Sequence, residues 1–256
     1  MKKFLFILLL ILSPSVVFAQ AQDSIQKKSY ARFPSKYYIG HSSFGLAKGH
    51  GYYHNTYIFF NEIQTGLTDH IALGGGVAPL FLILGMISPV WVNLKVSLPL
   101  SRKFYVSAGG SYIRTFVLSW FMGSSFMKTD NWMAYGGFTY GTVDNNMSLN
   151  FYMLGNVNNN QEENFVKNSA GFLSLGTKHR ITPRSYFITD SYFITDIKFS
   201  GFNLFSIVGG ELQYRRQALD YGIMMNYIYF PQSEEWDTQK INKFFLYPYV
   251  GFKWAF

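Results

Sequence analysis

Cysteine is missing from all 256 residues, so the chain has no disulfide framework and no thiolate metal site. Its stability has to come from packing and from its hydrogen-bond ladder. Charge is also scarce: Asp, Glu, Lys and Arg make up 14 % of the chain, well under the roughly 25 % of ordinary soluble domains. The formal net charge is +8, but no tight basic run accompanies it, which argues against nucleic acid as a partner. No nucleophile elbow appears, and no motif calls for a cofactor. Helices able to cross a bilayer are lacking as well. The apolar stretch 4–12 falls short of the ~20 residues such a helix needs. The charge-free stretch 71–92 is long enough but is broken by Gly74-Gly75-Gly76, Pro79 and Pro89.

Aromatic residues are abundant, at 20 % of the chain. Alternation of apolar and polar residues is the dominant pattern. In the run 90–98, aliphatic residues occupy the even positions, and Trp91, Asn93, Lys95 and Ser97 the odd ones. The runs 147–153 and 219–227 alternate just as regularly, and a period of two marks half-exposed strands. Counting back from Phe256, every second residue (Trp254, Phe252, Val250, Pro248, Leu246, Phe244) is apolar or proline, so one side of that strand suits lipid.

The breaks between strands order themselves. Short connections fall near 66–70, 100–103, 143–146, 178–183 and 215–218. Longer ones fall near 44–52, 79–89, 121–131, 156–167, 195–201 and 231–242. Short and long alternate down the chain, as tight inner turns and longer outer loops do in an antiparallel up-and-down barrel. These breaks predict an all-β transmembrane barrel of about twelve strands, with 10 or 14 as alternatives. Glycine clusters at 74–76, 109–110, 136–137 and 209–210 fall inside the predicted strands, where sheet closure needs bends. The hexapeptide Ser185–Asp190 recurs at once as Ser191–Asp196; six is even, so both copies keep one facing.

Three segments follow. Lys2 and Lys3, the apolar stretch 4–12 and the small-residue site at Val17-Phe18-Ala19 read as a secretory signal peptide over 1–19. Residues 20–35 are expected to form a periplasmic lead-in, and 36–256 the barrel. The closing run, with Phe252, Trp254 and the final Phe256, resembles the last strand of bacterial outer-membrane barrels, whose terminal aromatic is an assembly signal. The run 49–61, the segment Gly66-Leu67-Thr68-Asp69-His70, the glycines at 74–76 and the segments 88–92 and 186–190 resemble an outer-membrane barrel family common in Bacteroidota. That resemblance implies fold and location, and no activity. The implied partners are outer-membrane lipid and the barrel-assembly machinery.

Candidate chemistry is thin. His41 lies beside Ser42 and Ser43, which invites comparison with a barrel-embedded lipid hydrolase using His41 or His54. On a strand, however, Ser42 diverges from His41, and Ser43 lies roughly 6–7 Å along. His50 and His54 would be about 13 Å apart on a strand, too far to share one metal ion. Charges within strands are more telling. Glu62, Trp91, Lys95, Asp190, Glu211 and Lys253 are expected to face the lumen, because a lipid-facing Lys or Arg costs about 2–4 kcal/mol near the midplane. Such a lumen suits a narrow passive channel or transporter for small solutes. It suits equally a structural barrel sealed by a paired charge network. The apolar segment 79–89 is expected to be an outer loop, placed at the rim or folded into the mouth as a gate.

Overall fold

The computed structural model describes residues 33–57, 59–79, 87–117, 127–157, 170–196, 202–230 and 241–256. The expected signal peptide, most of the lead-in, residues 80–86 of the apolar loop and most of the long connections near 121–131, 156–167, 195–201 and 231–242 lie outside these residues.

Twelve antiparallel strands close on themselves. They are β1 Gly51–Thr56, β2 Phe60–Gly66, β3 Ile71–Val77, β4 Ile87–Pro99, β5 Phe104–Val117, β6 Met127–Gly141, β7 Asn145–Asn156, β8 Ala170–Arg180, β9 Ser185–Asp196, β10 Phe202–Tyr214, β11 Gln217–Phe230 and β12 Ile241–Ala255. Each pairs with its sequence neighbours, and β12 returns to pair with β1. This is the predicted transmembrane up-and-down barrel. Tight turns at 67–70, 100–103, 142–144, 181–184 and 215–216 share one end with Gly51 and Phe256. That end is called the turn end below, and the opposite end the loop end. Phe256 and Gly51 exchange two backbone bonds of 3.0 Å, so the last residue joins the first strand at the turn end.

The barrel is apolar outside and polar inside. On β4, Val92, Leu94, Val96 and Leu98 are exposed, while Lys95 and Ser97 between them are buried. On β12, Phe244, Leu246, Val250 and Trp254 are exposed, while Tyr249 and Lys253 are buried. A surface of that kind is stable only against hydrocarbon. Hydroxyls with outward parity pair with each other, Thr177 with Thr189 at 2.8 Å and Ser206 with Ser191 at 2.9 Å. The duplicated hexapeptide makes up the whole of β9. Its even step puts Tyr186, Ile188, Asp190 and Tyr192 all inside.

The start of the barrel differs from expectation. Residues 36–43, predicted to open the wall, are not a strand, and β1 begins at Gly51. The run 53–65, predicted as one strand, is two, joined by a reversal at Tyr57 with φ 54°. One strand is lost and one gained, so the count holds. The sequence conceals this turn because a bulky tyrosine, rather than Gly, Asn or Asp, takes the left-handed conformation.

The triple glycine of β3 also has a concrete use. A Cβ at Gly76 would lie 2.2 Å from the Trp91 ring and 2.4 Å from the Asn61 carbonyl oxygen. The indole therefore lies across bare backbone. Gly76→Val is expected to displace it and cost about 1–3 kcal/mol, read as a lower urea midpoint and an altered Trp signal in near-UV circular dichroism.

Candidate functional site

Residues 33–48 run inside the barrel as far as Leu46 and leave it at the turn end, where Ala47 and Lys48 are exposed. Glycine and serine break this stretch, so it can fold tightly. A small hairpin, with the Tyr37 amide donating to the Gly40 carbonyl at 3.0 Å and the Ser42 amide to the Ser35 carbonyl at 3.2 Å, spreads its side chains outward to the wall. The Tyr37 hydroxyl reaches Asn146 and Ser148 on β7 at 2.5 and 2.6 Å. The Tyr38 hydroxyl donates to the Tyr221 carbonyl on β11 at 3.1 Å, and its ring meets Tyr249 on β12. The amides of Ile39 and Gly40 donate to one oxygen of Asp190 on β9, at 2.8 and 2.7 Å. A Cβ at Gly40 would lie 2.8 Å from that carboxylate, so a larger residue would have to push the Asp190 side chain aside. The Ser43 amide donates to Thr139 on β6, and Ser107 on β5 donates to the Ser43 hydroxyl. Lys95 on β4 donates to the carbonyls of Ser42 and Phe44 at 2.6 and 2.8 Å. Lys36 pairs with Glu62 on β2 at 2.7 Å. Only a body inside the ring can reach strands on every side of it. The segment is a plug, and its wall partners cluster toward the turn end.

Beside the plug lies a charge network built from five strands. Glu211 on β10 accepts from Lys178 on β8 at 2.6 Å and from Lys253 on β12 at 2.7 Å. Lys253 also meets Asp220 on β11 at 2.9 Å, and His54 on β1 lies 3.5 Å from that same carboxylate. Gln213 adds a 2.6 Å bond to Glu211. All of these side chains are buried, and the two ammonium groups match the two carboxylates.

Toward the loop end the lumen wall becomes aromatic. Tyr135, Tyr152, Phe172, Tyr192 and Phe205 occupy five successive strands, β6 to β10. Consecutive ring centroids are 5.4, 4.6, 6.3 and 5.8 Å apart. Cross-strand register carries the row on from Phe205 to Asn226 and then to Phe245. Tyr247, which also faces inward by parity, is 46 % exposed, whereas Tyr135, Tyr152 and Tyr192 are buried, so this vestibule is exposed on its β12 side and packed across β6, β7 and β9.

Each residue singled out from the sequence has a place. Lys95 and Asp190 hold the plug, Glu62 clamps Lys36, Glu211 and Lys253 form the network, and Trp91 packs over Gly76. Phe252, Trp254 and Phe256 end the wall at the turn end. The sequence reading missed Asp220, although the alternation of 219–227 already gave it inward parity. Lys178, assigned to a turn, is instead a buried member of β8. The plug residues Lys36, Tyr37 and Tyr38 carried no signal distinguishing them from a strand.

Among the described residues, neither Ser42 nor Ser43 pairs with a histidine. Ser42 donates to the Pro34 carbonyl and the Ser43 hydroxyl accepts from Ser107, so neither meets His41. The Nε2 of His54 faces both Thr56, at 3.4 Å, and Asp220, at 3.5 Å. A relay needs one ring nitrogen for each partner. His41 instead lies 3.6 Å from Glu62 and stacks on Tyr135. Burial, reinforced by the ammonium groups of Lys36 and Lys95, lowers its pKa to about 4, against the pull of Glu62. Below pH 6.5 a released plug would therefore bind a proton that the seated plug refuses, so seating weakens as pH falls from 6.5 toward 4. The protection factor of the Gly40 amide, its exchange corrected for intrinsic pH dependence, is expected to fall over that window, and His41→Gln should flatten the dependence.

No family model matches the chain, and no curated relative does. Among solved structures it is similar to a KdgM porin, with 9 % identity, a TM-score of 0.49, and coverage of 81 % of this chain and 98 % of that one. It is also similar to the Ralstonia pickettii toluene transporter TbuX, at 8 % identity and TM-score 0.44, covering 82 % and 90 %. The outer-membrane expressed OmpT of Vibrio cholerae matches at 10 % and 0.41, covering 77 % and 64 %. Overlaps this loose carry no argument, and the fold rests on the closed pairing of this chain's own strands.

Proposed function

We propose that this chain is an outer-membrane channel or transporter for small solutes, held shut at rest by residues 33–48, with the turn end in the periplasm. The lipid-facing exterior and the resemblance of the closing strand support the location. In this reading Phe252, Trp254 and Phe256 serve as the assembly signal. The observation that carries the functional reading is the division of the lumen. Its turn end is stopped by a segment that belongs to no strand and is held to the surrounding wall by hydrogen bonds and ion pairs, while the wall toward its loop end is aromatic. A barrel with a purely structural role needs no vestibule, although its charge network would look the same.

The absence of native cysteine makes a clean test possible. The Ser43 and Ser107 hydroxyl oxygens lie 3.0 Å apart, so a Ser43→Cys, Ser107→Cys pair sets two thiols side by side for oxidation. In planar bilayers the full-length protein is expected to show discrete current steps. The oxidised double variant should show none, and a thiol reductant should restore them. Equal current before and after reduction would exclude passage by plug displacement. Silence of the wild-type protein, with and without denaturant low enough to keep it folded, would favour the sealed barrel.

A further inference from the structure

A basic and aromatic corner stands at the turn end, where β9 to β12 run side by side. Tyr214, the last residue of β10, and Trp254 on β12 are exposed and lie on either side of Gln217 in the strand register. Two residues further along the same outward face, Leu212 and Leu219 are paired and exposed to lipid. The row therefore sits at the boundary between hydrocarbon and headgroups, where tyrosine and tryptophan settle.

Arginines gather on this row. The guanidinium groups of Arg184 and Arg215 lie against the one Tyr214 ring, 5.4 and 5.5 Å from its centroid. Their turns are tied to the neighbouring strands. The Gln213 amide donates to the Arg184 carbonyl and the Ala255 amide to the Arg216 carbonyl, both at 2.7 Å. Tyr214, Arg215, Arg216, Gln217 and Trp254 line a surface depression of about 440 Å³. Arg215 also opens the two-residue hairpin between β10 and β11 with φ 52°, a place that glycine ordinarily fills. The backbone accepts strain at a position that brings a guanidinium to the ring.

Among the described residues, no carboxylate pairs with Arg184, Arg215 or Arg216. The acids of the turn end are engaged elsewhere, Asp69 with the Lys48 amide and Asp144 with Arg180. Two like charges held at one ring repel each other, and an anion shared by them offsets that cost. A guanidinium fork matches phosphate oxygens, and stacking on a ring keeps the fork oriented. A zwitterionic headgroup would add an ammonium group to this excess of positive charge. We propose that the corner binds a phospholipid of net negative charge, its phosphodiester held by Arg184 and Arg215 and its acyl chains lying along Leu212 and Leu219. The apolar face beside the arginines selects a lipid over a free phosphate. The inference uses the lipid-facing exterior alone and holds whether or not the lumen conducts.

The test is native mass spectrometry of the full-length protein, released from detergent micelles that hold equal amounts of phosphatidylglycerol and phosphatidylethanolamine with matched chains. The wild-type protein is expected to retain phosphatidylglycerol about tenfold more than phosphatidylethanolamine. Arg184→Gln combined with Arg215→Gly should abolish that preference. Glycine suits the backbone at 215, so this variant keeps its compact band on unheated gels. Arg102→Gln combined with Lys103→Gln removes the same charge from the turn between β4 and β5 and should leave the preference as in the wild type. Equal retention of the two lipids by the wild-type protein would overturn the site, as would equal loss of the preference in both double variants. Displacement of the bound lipid by millimolar glycerophosphoglycerol would overturn it as well, because the corner would then take a free phosphodiester.

Discussion

Glu211→Ala is expected to destabilise the barrel by about 3–5 kcal/mol, as befits removal of one partner from a buried ion network. The substitution strips acceptors from Lys178 and Lys253 together and leaves two buried ammonium groups facing one carboxylate, Asp220. Water cannot compensate, because all of these groups are buried. The control follows from charge balance. In a Lys178→Met, Glu211→Leu double variant, Lys253 keeps Asp220, and an apolar pair replaces the removed charges. That variant should lose less stability than Glu211→Ala despite changing more atoms. Retention of the compact, fast-migrating band on unheated gels after graded heating measures both. If the single and double variants melt together, the network contributes little.

Asp190→Ala should release the plug. One carboxylate oxygen receives the amides of Ile39 and Gly40, and the Tyr192 hydroxyl donates to it at 3.3 Å. Removing the side chain leaves two buried amides unsatisfied, at about 1–3 kcal/mol each. Current steps in planar bilayers are therefore expected to become at least about tenfold more frequent, since 1.4 kcal/mol is a factor of ten. Asp190→Asn keeps an acceptor oxygen and should give a smaller increase. Lys95→Met, which frees the carbonyls of Ser42 and Phe44, should act in the same direction. Unchanged conductance in Asp190→Ala, with the folded band intact, would mean that these bonds do not gate the lumen.

Much of the wall could be read from the chain. Period two assigned β4, β7, β11 and β12 their lipid and lumen faces, because successive strand residues alternate sides whatever lies beside them. It also placed Lys95, Glu211 and Lys253 among the inward residues before any contact was known. The same rule fails at 36–43, where Tyr37, Tyr38 and Ile39 suit a strand, and at Tyr57, where nothing in the residue type announces a turn. Propensity is a weak prior, and tertiary surroundings overrode it at both places.

From sequence alone came the class of fold, the strand count and the side each regular strand shows to lipid, since these depend on spacing along one strand. Tertiary structure decided that Lys178 meets Glu211, that residues 33–48 plug the lumen, and that the chain reverses at Tyr57 between β1 and β2. Those outcomes depend on register and closure. Curling the sheet into a ring brings β8, β10, β12 and β1 around one interior, and no local pattern encodes which side chains then meet across it.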